Sequence, residues 1–83
     1  MTGETRQVTL ADIGEGLTEA FITRILVNVG DMLKQLDPIA EVETDKALIE
    51  ITTPWSGRVE KILVEVESWV NVGDAVLELA VER

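Results

Sequence analysis

The sequence predicts an all-β domain, a flattened barrel or sandwich of two antiparallel sheets with about four strands each and internal pseudo-two-fold symmetry. Apolar residues alternate with polar ones or form short β-branched runs, instead of recurring every three or four residues as on a helix. The chain also repeats itself. After a shift of 37 residues, positions 25–42 align without a gap on 62–79, and six of the eighteen pairs are identical. Two halves that each present one apolar face can bury those faces against each other.

The predicted strands follow one another between turns rich in glycine, proline and aspartate. They are 7–11, 20–27, 39–44, 48–52, 58–66 and 76–81, with short extended pieces at 32–33 and 69–70. The turns are predicted at 29–31, 37–38, 54–57 and 72–74. Alternation places Ala40, Val42 and Thr44 on one apolar face, and their repeat partners form the equivalent face of the other half.

Length and composition exclude several classes of protein. At 83 residues the chain suits one compact domain, predicted at 7–82, with 1–6 as a flexible N-terminal tail. Cysteine and histidine are absent, so we expect no disulfide, no thiolate nucleophile and no metal site, and enzyme chemistry within the chain is not expected. A net charge of −9 disfavours nucleic acid. No apolar run approaches a membrane span and the first residues lack the apolar core of a signal peptide, so we expect a soluble, cytoplasmic domain. We also expect the domain to be monomeric.

Lys46 lies where the two copies of the repeat meet, in the segment Glu43-Thr44-Asp45-Lys46-Ala47. One predicted strand ends in this segment and the next begins just after it, so Asp45 and Lys46 are predicted to be the central residues of a tight, exposed hairpin. The symmetry places this turn at the end of the domain opposite the chain termini. Acidic neighbours argue against a self-activated nucleophilic lysine, so a modifying enzyme would have to activate the partner.

In this setting the segment resembles the lysine hairpin of the lipoyl domains of E2 acyltransferases in 2-oxo acid dehydrogenase complexes. The resemblance extends over nearly the whole chain, through Asp12-Ile13-Gly14-Glu15-Gly16, Val29-Gly30-Asp31, Pro54 with Gly57, and Val72-Gly73-Asp74. It implies that Lys46 carries lipoic acid in amide linkage. It also implies that Glu43, Thr44, Asp45 and Ala47 are the hairpin residues recognised together with the lysine.

The resemblance implies the function of a swinging arm. A lipoyl ligase or transferase would attach the cofactor. A thiamine-diphosphate-dependent E1 would reductively acylate it, the E2 acyltransferase domain would take the acyl group, and the flavoenzyme E3, dihydrolipoyl dehydrogenase, would reoxidise it. The protein supplies position and the cofactor supplies the chemistry. The acyltransferase centre of such enzymes lies in a separate domain that uses histidine, so this chain is expected to be a carrier and not an enzyme. A eukaryotic relative would work in the mitochondrial matrix.

The irregular stretch 12–19 is the longest that is not a tight turn. In lipoyl domains the corresponding loop lies near the modified lysine and contributes to recognition by E1. The resemblance therefore assigns possible E1 recognition to Glu15, Leu17 and Glu19. The alternative is a solvated connecting loop.

Two turns depart from the family pattern, and one tryptophan carries a prediction about its packing. Leu36 stands where a glycine often precedes the aspartate of its turn, and Glu67-Ser68 replaces a frequent Gly-Asp. Trp55 is predicted to pack across a sheet edge at the end away from Lys46.

Two further apolar residues carry predictions about burial. Trp69 aligns with Met32 of the first half, which predicts that it fills the core by symmetry. Leu48 is either an exposed apolar contact beside Lys46 or a partly buried strand residue.

Two other functions compete with the lipoyl carrier. Biotin carrier domains also place a modified lysine on a mid-chain hairpin, but they typically flank it with methionines, whereas Lys46 lies between Asp45 and Ala47. The other alternative is an unmodified acidic β-sandwich that acts as an interaction module. The glycine-cleavage carrier, another lipoylated protein, fits less well, because it is normally longer and has added helices. The choice among pyruvate, branched-chain and 2-oxoglutarate complexes stays open, because they share the local motif.

Overall fold

The computed structural model describes residues 4–11 and 18–81. These residues form eight β-strands and no helix, so the part described contains no helix long and apolar enough to cross a membrane. The strands are β1 (Glu4–Thr9), β2 (Glu19–Ile25), β3 (Met32–Leu33), β4 (Pro38–Glu43), β5 (Leu48–Thr52), β6 (Gly57–Ile62), β7 (Trp69–Asn71) and β8 (Ala75–Val81).

The strands form two four-stranded sheets in which every hydrogen-bonded pair is antiparallel. One sheet has the order β1-β8-β6-β3 and the other has the order β5-β4-β2-β7. The predicted sandwich is confirmed. The ladders of the described strands stay within their own sheets, so the two sheets do not close into a barrel.

Pseudo-two-fold symmetry is visible in the backbone as well as in the sequence. The repeat shift converts β4 into β8, β2 into β6 and β3 into β7, and the order of one sheet then becomes the order of the other. Connecting hydrogen bonds repeat too: the Leu26 N–H donates to the Ile39 carbonyl at 2.9 Å, and the Leu63 N–H donates to the Val76 carbonyl at 2.8 Å. The predicted symmetry is therefore confirmed.

The core lies between the facing sides of the two sheets. Among the described residues it consists of fifteen buried apolar side chains: Val8, Leu10, Ala20, Ile22, Val27, Leu33, Ile39, Ala40, Val42, Ile51, Val59, Val70, Val76, Leu77 and Leu79. The predicted inward positions Ala40, Val42, Leu77 and Leu79 are all at most 1% exposed. Glu43, next to the inward Val42, is exposed, as strand alternation requires.

The β5–β6 corner is held by Thr53, a fully buried polar residue whose hydroxyl donates to the Trp55 carbonyl at 2.8 Å and accepts from the Trp55 N–H at 3.2 Å. Gly57 follows at a close approach of β6 and β8, where a Cβ would lie 2.5 Å from the Ala80 carbonyl oxygen. Trp55 is half-buried against the core, as predicted, and the guanidinium carbon of Arg6 lies 5.3 Å from its ring centroid. This corner therefore lies beside the start of β1.

The strand boundaries agree with the predictions to within two residues except at two places. β1 begins at Glu4, so residues 4–6 of the predicted N-terminal tail belong to a strand. This strand pairs with β8, and the pairing begins with Glu4 opposite Val81. Residues 4–6 place no apolar side chain against the core, so no alternation of apolar and polar residues marks them as a strand in the sequence. β6 ends at Ile62, and not at 66, because the chain turns after the Leu63–Val76 hydrogen bond.

The prediction that Trp69 fills the core is wrong. Trp69 is 63% exposed, and its repeat partner Met32 is 72% exposed. In these short edge strands the next residues, Leu33 and Val70, take the inward positions and are 7% and 5% exposed. Because successive strand residues point to opposite faces, Met32 and Trp69 must lie on the outer faces.

Two departures from the family pattern occupy left-handed backbone conformations. Leu36 has φ 76° and Glu67 has φ 65°, and their repeat partners Gly73 and Gly30 both have φ 97°. A residue with a Cβ is strained in this region by about 1–2 kcal/mol. Each half of the repeat therefore contains one turn that uses glycine and one turn that forces a larger residue into the same conformation.

Replacement of Glu67 by glycine is expected to raise the free energy of unfolding by about 0.5–1 kcal/mol. Relief of the left-handed strain exceeds the extra backbone entropy that glycine loses on folding. Urea denaturation measures the change. Glu65→Gly is the control, because Glu65 is exposed and has no positive φ, and it should lower the stability. A loss of stability in both variants would contradict the assignment of strain to Glu67.

Candidate functional site

Lys46 lies at the tip of the β4–β5 hairpin. β4 ends at Glu43 and β5 begins at Leu48, so Asp45 and Lys46 are the central residues of the connection, as predicted. The Thr44 N–H donates to the Ala47 carbonyl at 2.9 Å and closes the turn. Because both flanking strands belong to the four-stranded sheet, the tip protrudes from a rigid base.

The hydroxyl of Thr44 organises the turn. It accepts hydrogen bonds from the N–H groups of Lys46 at 3.2 Å and Ala47 at 3.1 Å, and it lies 3.2 Å from the Ala47 carbonyl as a donor. Neither Asp45 nor Lys46 has a positive φ, so the turn is not of type I′, which needs positive φ at both central residues. The side-chain oxygen instead binds the N–H groups of the loop, as in other turns initiated by threonine.

Sequence reasoning missed this role of Thr44. Alternation had placed its side chain on the inward face with Ala40 and Val42. Its half-buried side chain instead turns its hydroxyl onto the loop backbone. The available signal was a threonine immediately before a two-residue turn, a position that favours bonds from hydroxyl to backbone.

The Lys46 side chain is exposed, and no hydrogen bond or ion pair reaches its Nζ from residues 4–11 or 18–81. The nearby acids Glu43, Asp45 and Glu50 are exposed, while Glu41 lies 3.9 Å from Arg24 in an ion pair. A primary amine exposed on a fixed turn is accessible to a large enzyme and can accept an acyl group. These residues therefore fit the covalent attachment of a carboxylic acid cofactor through an amide bond.

Other chemistry has little support in the described region. Within residues 4–11 and 18–81 no group of three or more acidic side chains is arranged to hold a metal ion. A groove of about 450 Å³ runs along the edge where β1 and β5 approach each other, and its walls include Ile49, Leu36 and Trp55. Lys46 does not line this groove. The groove and the hairpin tip are therefore separate features.

The predicted recognition residues are only partly visible. Glu15 and Leu17 lie outside the described residues, whereas Glu19 is exposed at the start of β2. β2 pairs with β4 directly, so Glu19 belongs to the sheet that carries the hairpin. Leu48, for which the sequence predicted either exposure beside Lys46 or partial burial, is 59% exposed beside the turn. The structure thus places an exposed acid and an exposed apolar residue in the sheet that supports Lys46.

Comparisons with known proteins agree with this architecture. The biotin/lipoyl family model, described as "Biotin-requiring enzyme", matches residues 6–79. The dihydrolipoyllysine-residue acetyltransferase component of the pyruvate dehydrogenase complex from Mycoplasma capricolum is 42% identical over 73 residues, which cover 88% of this chain and 17% of that protein. The component of the same name from Staphylococcus aureus is 41% identical over 70 residues, covering 84% of this chain and 16% of that protein. The chain spans about a sixth of the length of these relatives.

Solved structures with this fold include a lipoyl domain and a carboxylase. The lipoyl domain of the 2-oxoglutarate dehydrogenase complex from Azotobacter vinelandii matches with a TM-score of 0.68 and 18% identity, covering 92% of this chain and 99% of that chain. The urea carboxylase of Kluyveromyces lactis matches with a TM-score of 0.78 and 21% identity, covering 93% of this chain and 6% of that chain. At these identities the structural matches establish the fold alone.

Thr44→Val should loosen the hairpin without unfolding the domain. Valine keeps the shape of threonine but leaves the N–H groups of Lys46 and Ala47 without their hydroxyl partner, which costs about 1 kcal/mol. Urea denaturation should show this loss, and amide hydrogen exchange should accelerate at Lys46 and Ala47. Thr44→Ser keeps the hydroxyl and should restore slow exchange. Equal exchange in all three proteins would show that the hydroxyl does not fix the turn.

Proposed function

The chain belongs to the biotin/lipoyl family, and within that family we propose that it is a lipoyl domain in which Lys46 carries lipoic acid in amide linkage. The observation that carries the proposal is the exposed amine of Lys46 on a turn fixed by the Thr44 hydroxyl. The proposal assigns Glu43, Asp45 and Ala47 to recognition of the hairpin, together with Thr44. The function is that of a carrier, and a carrier of this kind has no catalytic centre of its own.

Attachment needs an activated acid, because an amine does not displace water from a free carboxylate. ATP and the lipoate carboxylate would give an acyl adenylate with release of pyrophosphate. The Lys46 ammonium would lose one proton, the free amine would attack the acyl carbon, the bond to AMP would break, and a second proton would leave the nitrogen as the amide forms. The amide removes the positive charge of Lys46. When attached, the lipoyl group supplies a disulfide that can accept an acyl group together with two electrons.

We assign the domain to the E2 chain of a pyruvate dehydrogenase complex. The support is the level of identity to the two acetyltransferase components and the length of those relatives, of which this chain matches one part. The partners that follow are a lipoyl ligase or transferase, the thiamine-diphosphate-dependent E1, the acyltransferase domain of E2, and E3. The proposal includes a monomeric domain in the cytoplasm, or in the mitochondrial matrix of a eukaryote.

Biotin attachment is the second candidate, because a carboxylase shares the fold. The residues beside the lysine argue against it. Asp45 and Ala47 stand where biotin carriers typically have methionines. The curated relatives described above carry the lipoyllysine name, which further favours lipoic acid. An unmodified interaction module would leave the exposed amine and its hydroxyl-bonded turn without a role.

Intact mass spectrometry after incubation with lipoic acid, ATP and a purified lipoate ligase should show the addition of one lipoyl group. Lys46→Arg should show no addition, since arginine keeps the charge but its guanidinium is a poor acyl acceptor. The other lysines, Lys34 and Lys61, provide matched controls, and Lys34→Arg and Lys61→Arg should each accept one group. Biotin with a biotin ligase is run in parallel. Addition of biotin without lipoate, or of neither group to a folded protein, would overturn the proposal.

Charge reversal in the 12–19 stretch should slow acylation by E1. Glu15→Lys combined with Glu19→Lys is expected to lower the rate about three- to tenfold, because charges at the rim of an interface chiefly affect association. The rate is measured on lipoylated domain with pyruvate and a purified E1. Glu60→Lys combined with Glu78→Lys, in the other sheet, is the control and should leave the rate unchanged. Equal rates for both double variants would remove Glu15 and Glu19 from E1 recognition.

A further inference from the structure

A row of four side chains crosses the outer face of the sheet that carries the hairpin. Leu48, Glu43, Phe21 and Trp69 are successive Cα partners in β5, β4, β2 and β7. Directly opposed residues of an antiparallel sheet point to the same face, so the four side chains form one transverse row. Leu48 is 59% and Trp69 63% exposed, while Phe21 is half-buried between its neighbours. We call this set the hairpin row.

The hairpin row begins at the base of the turn. Glu43 is the last residue of β4 and Leu48 the first of β5, so both are adjacent to the four-residue connection that contains Lys46. At about 4.8 Å between strands, Trp69 lies roughly 14 Å across the sheet from Leu48. The rings of Phe21 and Trp69 pack edge to face, with centroids 5.3 Å apart and planes at 61°. The row therefore provides a preformed aromatic surface within the area that a protein bound to the hairpin would cover.

The other half of the molecule shows that the fold does not require this row. At the symmetry-related positions, Thr5, Ala80, Arg58 and Met32 are likewise successive partners in β1, β8, β6 and β3. The backbone pairing is the same, but the row contains no aromatic side chain. The feature that distinguishes the two ends is the lysine hairpin, which joins β4 to β5 beside the first row only. An aromatic pair with an exposed tryptophan, in the row that begins at the base of the Lys46 hairpin and absent from the structural duplicate of that row, indicates a contact with another molecule.

Electrostatics define the partner of this surface. Glu43 lies within the row, and Glu19, Glu41 and Glu50 flank it on the same face by strand alternation. Arg24, the basic residue among these positions, is in an ion pair with Glu41. The surface is thus an aromatic and aliphatic strip in an acidic field. It fits a protein with an apolar pocket flanked by lysine or arginine side chains.

We propose that the hairpin row is the docking surface for the enzyme that couples lipoic acid to Lys46. This inference depends on the proposed function. The coupling enzyme meets the domain before any arm exists, so its affinity for the domain must come from protein side chains. Enzymes that act later also bind the arm itself. A buried tryptophan is a frequent energetic centre of such interfaces, so Trp69 is the anchor and Leu48 the contact nearest the lysine.

The test compares Trp69→Glu with Met32→Glu, which introduces glutamate at the equivalent position of the other repeat. Lipoate ligase, lipoic acid and ATP are used with each domain, and kcat/KM for the domain is measured by mass spectrometry. Trp69→Glu is expected to lower kcat/KM at least about tenfold, mainly through KM, the loss expected for an aromatic anchor. Met32→Glu should remain within about twofold of the parent. Lys46→Arg is included to test the attachment site itself.

A second variant protects the test against loss of folding. Trp69→Met combined with Leu48→Thr installs the residues that the other sheet carries at these positions, Met32 and Thr5, so the fold should persist. Thermal unfolding by circular dichroism verifies it. If Trp69→Glu unfolds, a fall in kcat/KM for this double variant supports the docking surface and an unchanged value overturns it.

The remaining outcomes separate this inference from the proposed function. If Trp69→Glu stays folded and both single variants react like the parent, or if both fall equally, the docking surface is overturned. If at the same time Lys46→Arg accepts no lipoyl group, the proposed function stands. Normal coupling with slower acylation by E1 would assign the row to E1 and would equally overturn the inference. Absence of lipoylation in the parent protein would overturn the proposed function and, with it, the docking surface.

Discussion

Burial of two apolar sheet faces against each other is the constraint on which the rest of the structure depends. Each half of the repeat has one such face, and neither could be covered within its own half. Fifteen buried apolar residues, among those described, meet between the sheets and fix the strand directions. Once β4 and β5 are fixed, the connection between them must project beyond the core. Lys46 can therefore be exposed while its position is set by β4 and β5, whose ladder joins the turn to the sheet.

Duplication explains the frame, and the departures from duplication locate the function. Sheet orders and connecting hydrogen bonds repeat across the two halves. The differences are concentrated in side chains: Leu36 and Glu67 adopt backbone conformations that glycine adopts in the other copy, and aromatic residues occupy the row beside the hairpin. The first kind of difference strains the turns. The second kind changes the side chains of an outer face without changing the backbone. Such a change is expected where a surface contacts another molecule and is not needed for folding.

The repeat and the alternation of apolar residues were sufficient to predict the sandwich, the succession of strands along the chain and the position of Lys46 at a hairpin tip. They failed where burial is not periodic or where side chains bind the backbone. Trp69 was assigned to the core because a large apolar residue at a repeated position suggests burial, yet the edge strand is so short that Val70 alone fills the inward position. The strand residues Glu4–Arg6 have polar side chains, so only their backbone pairing with β8 identifies them as strand. The role of Thr44 depended on hydroxyl geometry that alternation ignores.

In the proposed function Lys46 serves several enzymes, and this constrains where the recognition surface can lie. Any contact that covered the Lys46 side chain would block the arm, so the tip itself can carry little of the binding surface. Residues that flank the tip can be read without hindering it, provided that they are held rigidly relative to the lysine. Phe21 and Glu43 meet this condition, because they lie on strands hydrogen-bonded to each other, and Glu43 is adjacent to the turn fixed by Thr44. Separation of the attachment point from the recognition surface follows from the geometry of a hairpin on a sheet. The tip leaves the lysine side chain free to move, and the sheet face provides the area for binding.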